Sequence, residues 1–169
     1  MGSAKWRGAD LDLIRPWLAG WLKDHPEVRF IVAGSDESLF DWLGVGGVIC
    51  PPDKDYIRPY EHLPAMLAHF DIGLVPLASN RFNQCKSWCK GMEYNAAGVP
   101  AVASPSREYR KFIEPGVNGF LVRRNDWRGA LDRALSDLPH LRAGALSTAK
   151  RYVIDEHIDR WADLYAPGS

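Results

Sequence analysis

The chain has 169 residues, which is the size of one domain and is enough to bury a sizeable core. Lysine plus arginine and aspartate plus glutamate both number 21, so the formal net charge is zero and no basic field favours a nucleic-acid or anionic-membrane partner. No apolar run approaches the roughly 20 residues of a membrane span, and the first residues lack the apolar stretch of a signal peptide. We therefore predict a single cytoplasmic domain over 1–169, with no transmembrane segment.

Short apolar runs alternate with amphipathic stretches along most of the chain. The runs that predict strands are VRFIVAG (28–34), GVIC (47–50), DIGLVPL (71–77), VPAVAS (99–104) and FLVRR (120–124). The stretches between them have helical spacing, and further helices are predicted near 126–138, 140–152 and 155–165. Because the strands read as continuous apolar runs, the sequence predicts an α/β fold. This is a doubly wound, Rossmann-like parallel sheet of about five strands, with helices on both faces and additional C-terminal helices.

The segments directly after the strands are the candidate ligand sites, because ligands of open parallel sheets bind beyond the carboxyl ends of the strands. The loop 51–56 is either a wall against a nucleobase or a plain connector. The loop 78–84 ends at a helix predicted over 86–97. A helix N-terminus offers unbonded N–H groups and partial positive charge, so the turn at 85–87, which includes Ser87, is predicted to hold a diphosphate reinforced by Lys86 and Lys90. Neither a P-loop sequence nor a G-x-G-x-x-G fingerprint occurs, which disfavours an NTPase or a dehydrogenase.

Three charged side chains of this predicted helix, Lys86, Lys90 and Glu93, fall within roughly 60° of one another. The apolar stripe beside them comprises Cys85, Trp88, Cys89, Met92 and Ala96. The face expected to meet solvent comprises Gln84, Ser87, Gly91 and Asn95. Charges that border the apolar stripe favour the lip of a cleft. The alternative is an ordinary ion pair between Lys90 and Glu93 on a helix surface.

The cysteines Cys50, Cys85 and Cys89 are too few, and odd in number, to indicate a secreted disulfide framework. Cys85 and Cys89 have a spacing compatible with a metal, but no nearby histidine or third cysteine completes a ligand set. We therefore predict reduced, buried thiols, no metal site and no cofactor.

Three motifs follow one another along the chain: DIGLVPL (71–77), KGMEYNAAGVPAVAS (90–104) and GVNGFLV (116–122). Each is weak alone, but their order and spacing together are informative. They resemble the C-terminal, donor-binding half of the GT-B-fold retaining glycosyltransferases often called group 1. The resemblance implies a hexosyltransferase domain that binds a nucleotide-diphosphate sugar without a metal. It also implies that Glu93 accepts hydrogen bonds from the ribose, a role that suits a carboxylate facing two vicinal hydroxyls.

The chain also departs from the family pattern. Relatives often carry a second glutamate eight positions before the first, where this chain has Cys85, so Asn83, Gln84 and Cys85 are the candidates for contacts with the donor sugar. The family's N-terminal domain has no counterpart here, so we expect an enzyme that is incomplete alone and needs a separate acceptor-binding domain or chain. The opening residues resemble the loop after the donor domain's first strand, where Arg7 is the candidate phosphate contact. No catalytic residue is identified.

Two other functions stay open. A non-catalytic module would bind a nucleotide sugar or a partner through an exposed sheet edge. A nucleotide-sugar epimerase shares the two-domain architecture that the motifs imply.

Overall fold

A computed structural model of the chain describes residues 8–32, 42–43, 48–49 and 63–165. The helices within those ranges are α1 Gly8–Leu11, α2 Arg15–Asp24, α3 Leu63–Leu67, α4 Arg81–Gln84, α5 Cys89–Ala96, α6 Tyr109–Phe112, α7 Trp127–Ser136, α8 Leu138–Lys150 and α9 Ile158–Tyr165. A 3₁₀ turn, Ile154–Glu156, precedes α9. The strands are β1 Phe30–Ile31, β2 Val48–Ile49, β3 Gly73–Val75, β4 Ala101–Ala103 and β5 Gly119–Leu121. The predicted alternation of strands and helices is confirmed.

All the described strand pairs are parallel, which confirms the predicted fold class. β1 pairs with β2, and β4 lies between β3 and β5. These ladders form separate two-stranded and three-stranded sheets in the part of the chain that is described, so the larger sheet has fewer strands than the five predicted. The strands are also shorter than the apolar runs. Pro76 follows β3 and Pro100 precedes β4, and proline cannot donate a ladder hydrogen bond.

One face of the three-stranded sheet packs against α2 and α7. Leu74, Val102 and Phe120 lie side by side in register and belong to a single apolar cluster with these helices. The largest contributions to that cluster come from Trp21 and Trp127, which are 3% and 1% exposed. Successive side chains of a strand point to opposite faces, so the neighbours of these strand residues face the other way.

The opposite face packs against α5 and α6. Val75, Ala103 and Leu121 are in register there and contact a second cluster that contains Tyr109 and Phe112. Helices therefore cover both faces of the sheet, as the sequence predicted. The helix that carries Lys90 and Glu93 is one of those that pack directly on the strands.

The helix predicted over 86–97 begins later than expected, so Lys86 and Ser87 precede it. A one-turn helix, α4, ends at Gln84, and α5 begins only at Cys89. The predicted buried stripe is only partly correct, because Trp88 and Met92 pack against the second cluster whereas its other members do not. Cys85, Cys89 and Ala96 are exposed, while Gly91 and Asn95, assigned to the solvent face, are buried.

Two features of tertiary packing explain why α5 turns this face inward. A Cβ atom at Gly91 would lie 3.0 Å from the rings of Phe112 and Tyr109, so the absence of a side chain lets the helix approach them closely. Asn95 is buried because its amide is fully used in hydrogen bonds to Val99 and Asn118. The thiols predicted to be buried are consequently displaced to the surface.

Candidate functional site

The candidate site lies where β3 and β4 end at the same edge of the sheet. Residues 76–88, here called the β3–α5 connection, leave the carboxyl end of β3, and residues 104–108 leave that of β4. The two segments are tied together because the Leu77 N–H donates to Ser104 Oγ at 2.9 Å and the Arg107 N–H donates to Gln84 Oε1 at 3.3 Å. The carboxyl edge of a parallel sheet is where ligands of this architecture bind.

A buried carboxylate anchors the β3–α5 connection. Asp10 in α1 is 5% exposed, and its Oδ1 accepts the Ala78 N–H and the Asn83 side-chain amide, each at 2.7 Å. Sequence reasoning missed Asp10, because it lies 68 residues from Ala78 and outside every motif. Hydrogen bonds to a charged acceptor are stronger than those between neutral groups. The Asp10 carboxylate and its two donors, Ala78 and Asn83, are here called the clamp, and they hold the connection in one place.

Lys86 lies between the clamp and an aromatic ring. Its Nζ is 3.8 Å from Asp10 Oδ2 and 4.8 Å from the centroid of the Phe82 ring. The contact of Lys86 with Asp10 is an ion pair, because its distance is too long for a hydrogen bond. The side chain is 24% exposed, so the cation borders solvent at the edge of the site.

Lys90 and Glu93 contact each other on α5. The Lys90 ammonium donates to Glu93 Oε2, and the two side chains are 26% and 22% exposed. The ion pair that the sequence offered as one alternative is therefore present, and both of its side chains are partly buried. Lys86 thus forms an ion pair with Asp10, and Lys90 forms one with Glu93.

The other predicted site residues have different environments. Asn83 is buried, and its amide donates to Asp10 and to the Ala78 carbonyl, so the side chain supports the clamp. Gln84, Cys85 and Ser87 are exposed, and the Gln84 carbonyl oxygen accepts the Arg107 N–H. Arg7 and the loop 51–56 lie outside the described residues.

Tyr109 in α6 packs against α5 at Gly91, and sequence reasoning missed this residue as well. Its ring is 1% exposed, and its hydroxyl oxygen accepts the Gly91 N–H at 3.1 Å. Burial raises the pKa of Tyr109 well above its ordinary value of 10.0, and the Gly91 hydrogen bond opposes that effect only in part. A tyrosine in α6 carries no sequence signal that would pair it with the backbone of α5.

The described ranges contain no group of three or more histidine, cysteine, aspartate or glutamate side chains placed to hold a metal ion. The same part of the chain has no helix that is long and apolar enough to span a bilayer.

Comparison with known proteins connects this arrangement to a family. The family model of the glycosyl transferases of group 1 matches residues 7–139. No curated protein matches the sequence. Two similar solved structures are the pneumococcal O-GlcNAc transferase GtfA with UDP and GlcNAc, and a mutant of TarM from S. aureus with fondaparinux, alpha-GlcNAc-glycerol and UDP.

These two structures share the fold at low sequence identity. GtfA is 16% identical with a TM-score of 0.61, and TarM is 14% identical with a TM-score of 0.65. Each alignment covers 91% of this chain and 32% of the solved one, so the chain spans about a third of their length. The family match extends over most of the chain and includes every element from α1 to α7. The chain therefore belongs to the glycosyl transferases of group 1.

Proposed function

We propose that this chain is the donor-binding domain of a retaining glycosyltransferase and that it binds a nucleotide-diphosphate sugar at the start of α5. The observation that carries the proposal is the pair of partly buried lysines, Lys86 and Lys90, at the carboxyl edge of the parallel strands. A cation at this edge is placed where the fold accepts ligands.

The diphosphate is the group that these lysines suit. Within the described residues, no side chain caps α5 at Trp88, and Tyr109 accepts the Gly91 N–H, so the helix start offers the N–H groups of Cys89 and Lys90 together with partial positive charge. Lys86 Nζ lies 3.8 Å from Asp10 Oδ2 and its side chain is 24% exposed, so a phosphate oxygen can approach the ammonium from the solvent side and make a charge-assisted contact. Asp10 stays in place when Lys86 contacts a phosphate, because Ala78 and Asn83 also donate hydrogen bonds to it.

In this proposal Glu93 binds the ribose. The Glu93 side chain is 22% exposed, and the Lys90 ammonium donates to its Oε2. Two vicinal hydroxyls match a carboxylate acceptor, and the same lysine then bridges the ribose-binding group and the phosphates. During transfer, Lys86 and Lys90 would stabilise the negative charge of the leaving diphosphate, a task that many enzymes give to a metal.

The acceptor and any general base belong to another domain or chain. This is consistent with the chain spanning about a third of GtfA and TarM. Because those structures hold UDP with GlcNAc or a GlcNAc derivative, uridine nucleotides are the first ligands to test.

A thermal-shift screen tests the proposal directly. The chain is heated with UDP, GDP and ADP and with UDP-glucose, UDP-N-acetylglucosamine, GDP-mannose and ADP-glucose. A ligand that binds only the native state stabilises it by about 2.7 kcal/mol at a hundredfold excess over its Kd, so one nucleotide series should raise the melting temperature selectively. Inorganic sulfate at matched ionic strength is the control. A melting temperature that no nucleotide changes would contradict the proposal. In a separate incubation of the chain with donor alone, formation of isomerised sugar would favour the epimerase.

A further inference from the structure

Phe82 exposes an aromatic ring at the candidate site. The residue is 73% exposed, and every other large hydrophobic residue that is more than half exposed in the described ranges lies within 154–165. Single exposed apolar residues are common on protein surfaces, so exposure alone carries no conclusion. The surroundings of Phe82 supply the rest.

The ring is mounted on a rigid turn. The N–H of Asn83 donates to Asn80 Oδ1 at 2.8 Å, which caps α4, and the Asn83 side chain is bound to Asp10 and to the Ala78 carbonyl. The residue next to Phe82 is thus buried and fully engaged, while Phe82 itself faces outward. Because the backbone on which Phe82 stands is anchored, a ligand that packs against its ring does not have to order the turn.

The ring also touches the cation of the site. Lys86 Nζ lies 4.8 Å from the ring centroid, which is within the range of a cation–π contact. A ligand anion on Lys86 would therefore have its next chemical group beside the Phe82 ring.

The order of groups in a nucleotide sugar identifies that next group. If the ribose is at Glu93 and the diphosphate at Lys90 and Lys86, the ligand runs back along the chain towards α4. The sugar follows the diphosphate, whereas the base leaves from the ribose end. We propose that Phe82 is a stacking platform for the pyranose ring of the bound donor and that it sets the preference for a nucleotide sugar over the bare nucleotide. This inference rests on the proposed function.

The chemistry of the two surfaces matches. One face of a pyranose presents C–H groups with partial positive charge, and the face of an aromatic ring is partially negative. The stacking contact adds apolar burial where the diphosphate contacts end, and it needs no rearrangement of the anchored α4 turn.

Titration calorimetry with the full chain tests the inference through a ratio of affinities. The ligands are UDP with UDP-N-acetylglucosamine and UDP-glucose, GDP with GDP-mannose, and ADP with ADP-glucose, and the variants are Phe82→Ala, Phe82→Leu and Phe82→Trp. Wild type should bind one nucleotide sugar more tightly than its nucleotide. Phe82→Ala and Phe82→Leu should weaken the nucleotide sugar about three- to tenfold and leave the nucleotide unchanged, while Phe82→Trp keeps the wild-type ratio.

The controls separate this inference from the proposed function. Tyr165→Ala removes an equally exposed ring, 79% exposed in α9, and should change neither affinity. An unchanged ratio in Phe82→Ala, equal weakening of nucleotide and nucleotide sugar, or full retention by Phe82→Leu would each overturn the stacking platform. The proposed function would survive those results, whereas a wild type that binds no nucleotide at all would contradict it.

Discussion

Two lysine–carboxylate pairs lie at the candidate site, and their carboxylates differ in burial and in hydrogen bonding. Asp10 is buried and already accepts two hydrogen bonds, so its contact with Lys86 is a secondary one. Glu93 is more accessible and accepts directly from Lys90. The first carboxylate is therefore a structural anchor, and the second is the one to which the proposed function assigns the ribose.

Replacing Glu93 by alanine should weaken nucleoside diphosphate binding roughly tenfold or more, because each lost charge-assisted hydrogen bond costs about 1.5 to 3 kcal/mol. The fold should persist, since the side chain is partly exposed at the edge of the site. Titration calorimetry measures the affinity, and circular dichroism checks the fold. Asp24→Ala is the matched control, as Asp24 forms an exposed ion pair with Arg128. Equal affinity in wild type and Glu93→Ala would remove the ribose assignment.

At the scale of elements, two buried asparagines join the second and third family motifs. Asn118 donates to Asn95 Oδ1 and to the Phe112 carbonyl, and its own Oδ1 accepts the Glu114 N–H. Asn95 donates in turn to the Asn118 carbonyl. Both side chains are 0% exposed. This network fastens the end of α5 to the turn before β5, so the two motifs depend on each other physically.

Replacing Asn118 by alanine should lower the free energy of unfolding by about 2 to 4 kcal/mol, because Asn95 Oδ1 and the Phe112 carbonyl lose a donor in a buried setting and the Glu114 N–H loses its acceptor. Urea unfolding followed by tryptophan fluorescence measures the change. Ser147→Ala, on the exposed side of α8, should have little effect. A loss for Asn118→Ala as small as that of the control would contradict the structural role of the network.

For the whole molecule, stability should depend on pH through Tyr109. Burial holds the pKa of this phenol above its ordinary value of 10.0 in the folded state, whereas the unfolded chain loses the proton near that value. Above that pH the unfolded state binds fewer protons than the folded state, so stability contributed by the neutral phenol declines as pH rises.

The variant Tyr109→Phe should lose this dependence. Near neutral pH it should be about 1 kcal/mol less stable, because the Gly91 N–H loses its acceptor. Between about pH 9 and 11 its stability should fall less steeply than that of wild type. Urea unfolding across this range measures both effects, with Tyr165→Phe as the exposed control. Parallel stability curves for wild type and Tyr109→Phe would refute the assignment to Tyr109.

The same molecule shows how much the sequence can predict about a site. The positions of Lys86, Lys90 and Glu93 at the edge of the sheet were predictable, because apolar runs locate the strands and the charged residues follow one of them. Asp10, the residue that pairs with Lys86, was not predictable from the sequence. Asp10 reaches Asn83 from 73 residues away, and no local pattern reports such a contact.

The parallel α/β architecture and the family could be predicted without coordinates, because the order of apolar runs and the spacing of three motifs are properties of the chain alone. The tertiary structure decided which side of α5 is buried. The close approach of Gly91 to Tyr109 and Phe112, and the hydrogen bonds of Asn95 to Asn118, outweigh the apolar stripe that contains Cys89. Helical periodicity counts hydrophobic residues, whereas packing also rewards a missing side chain and a fully satisfied amide.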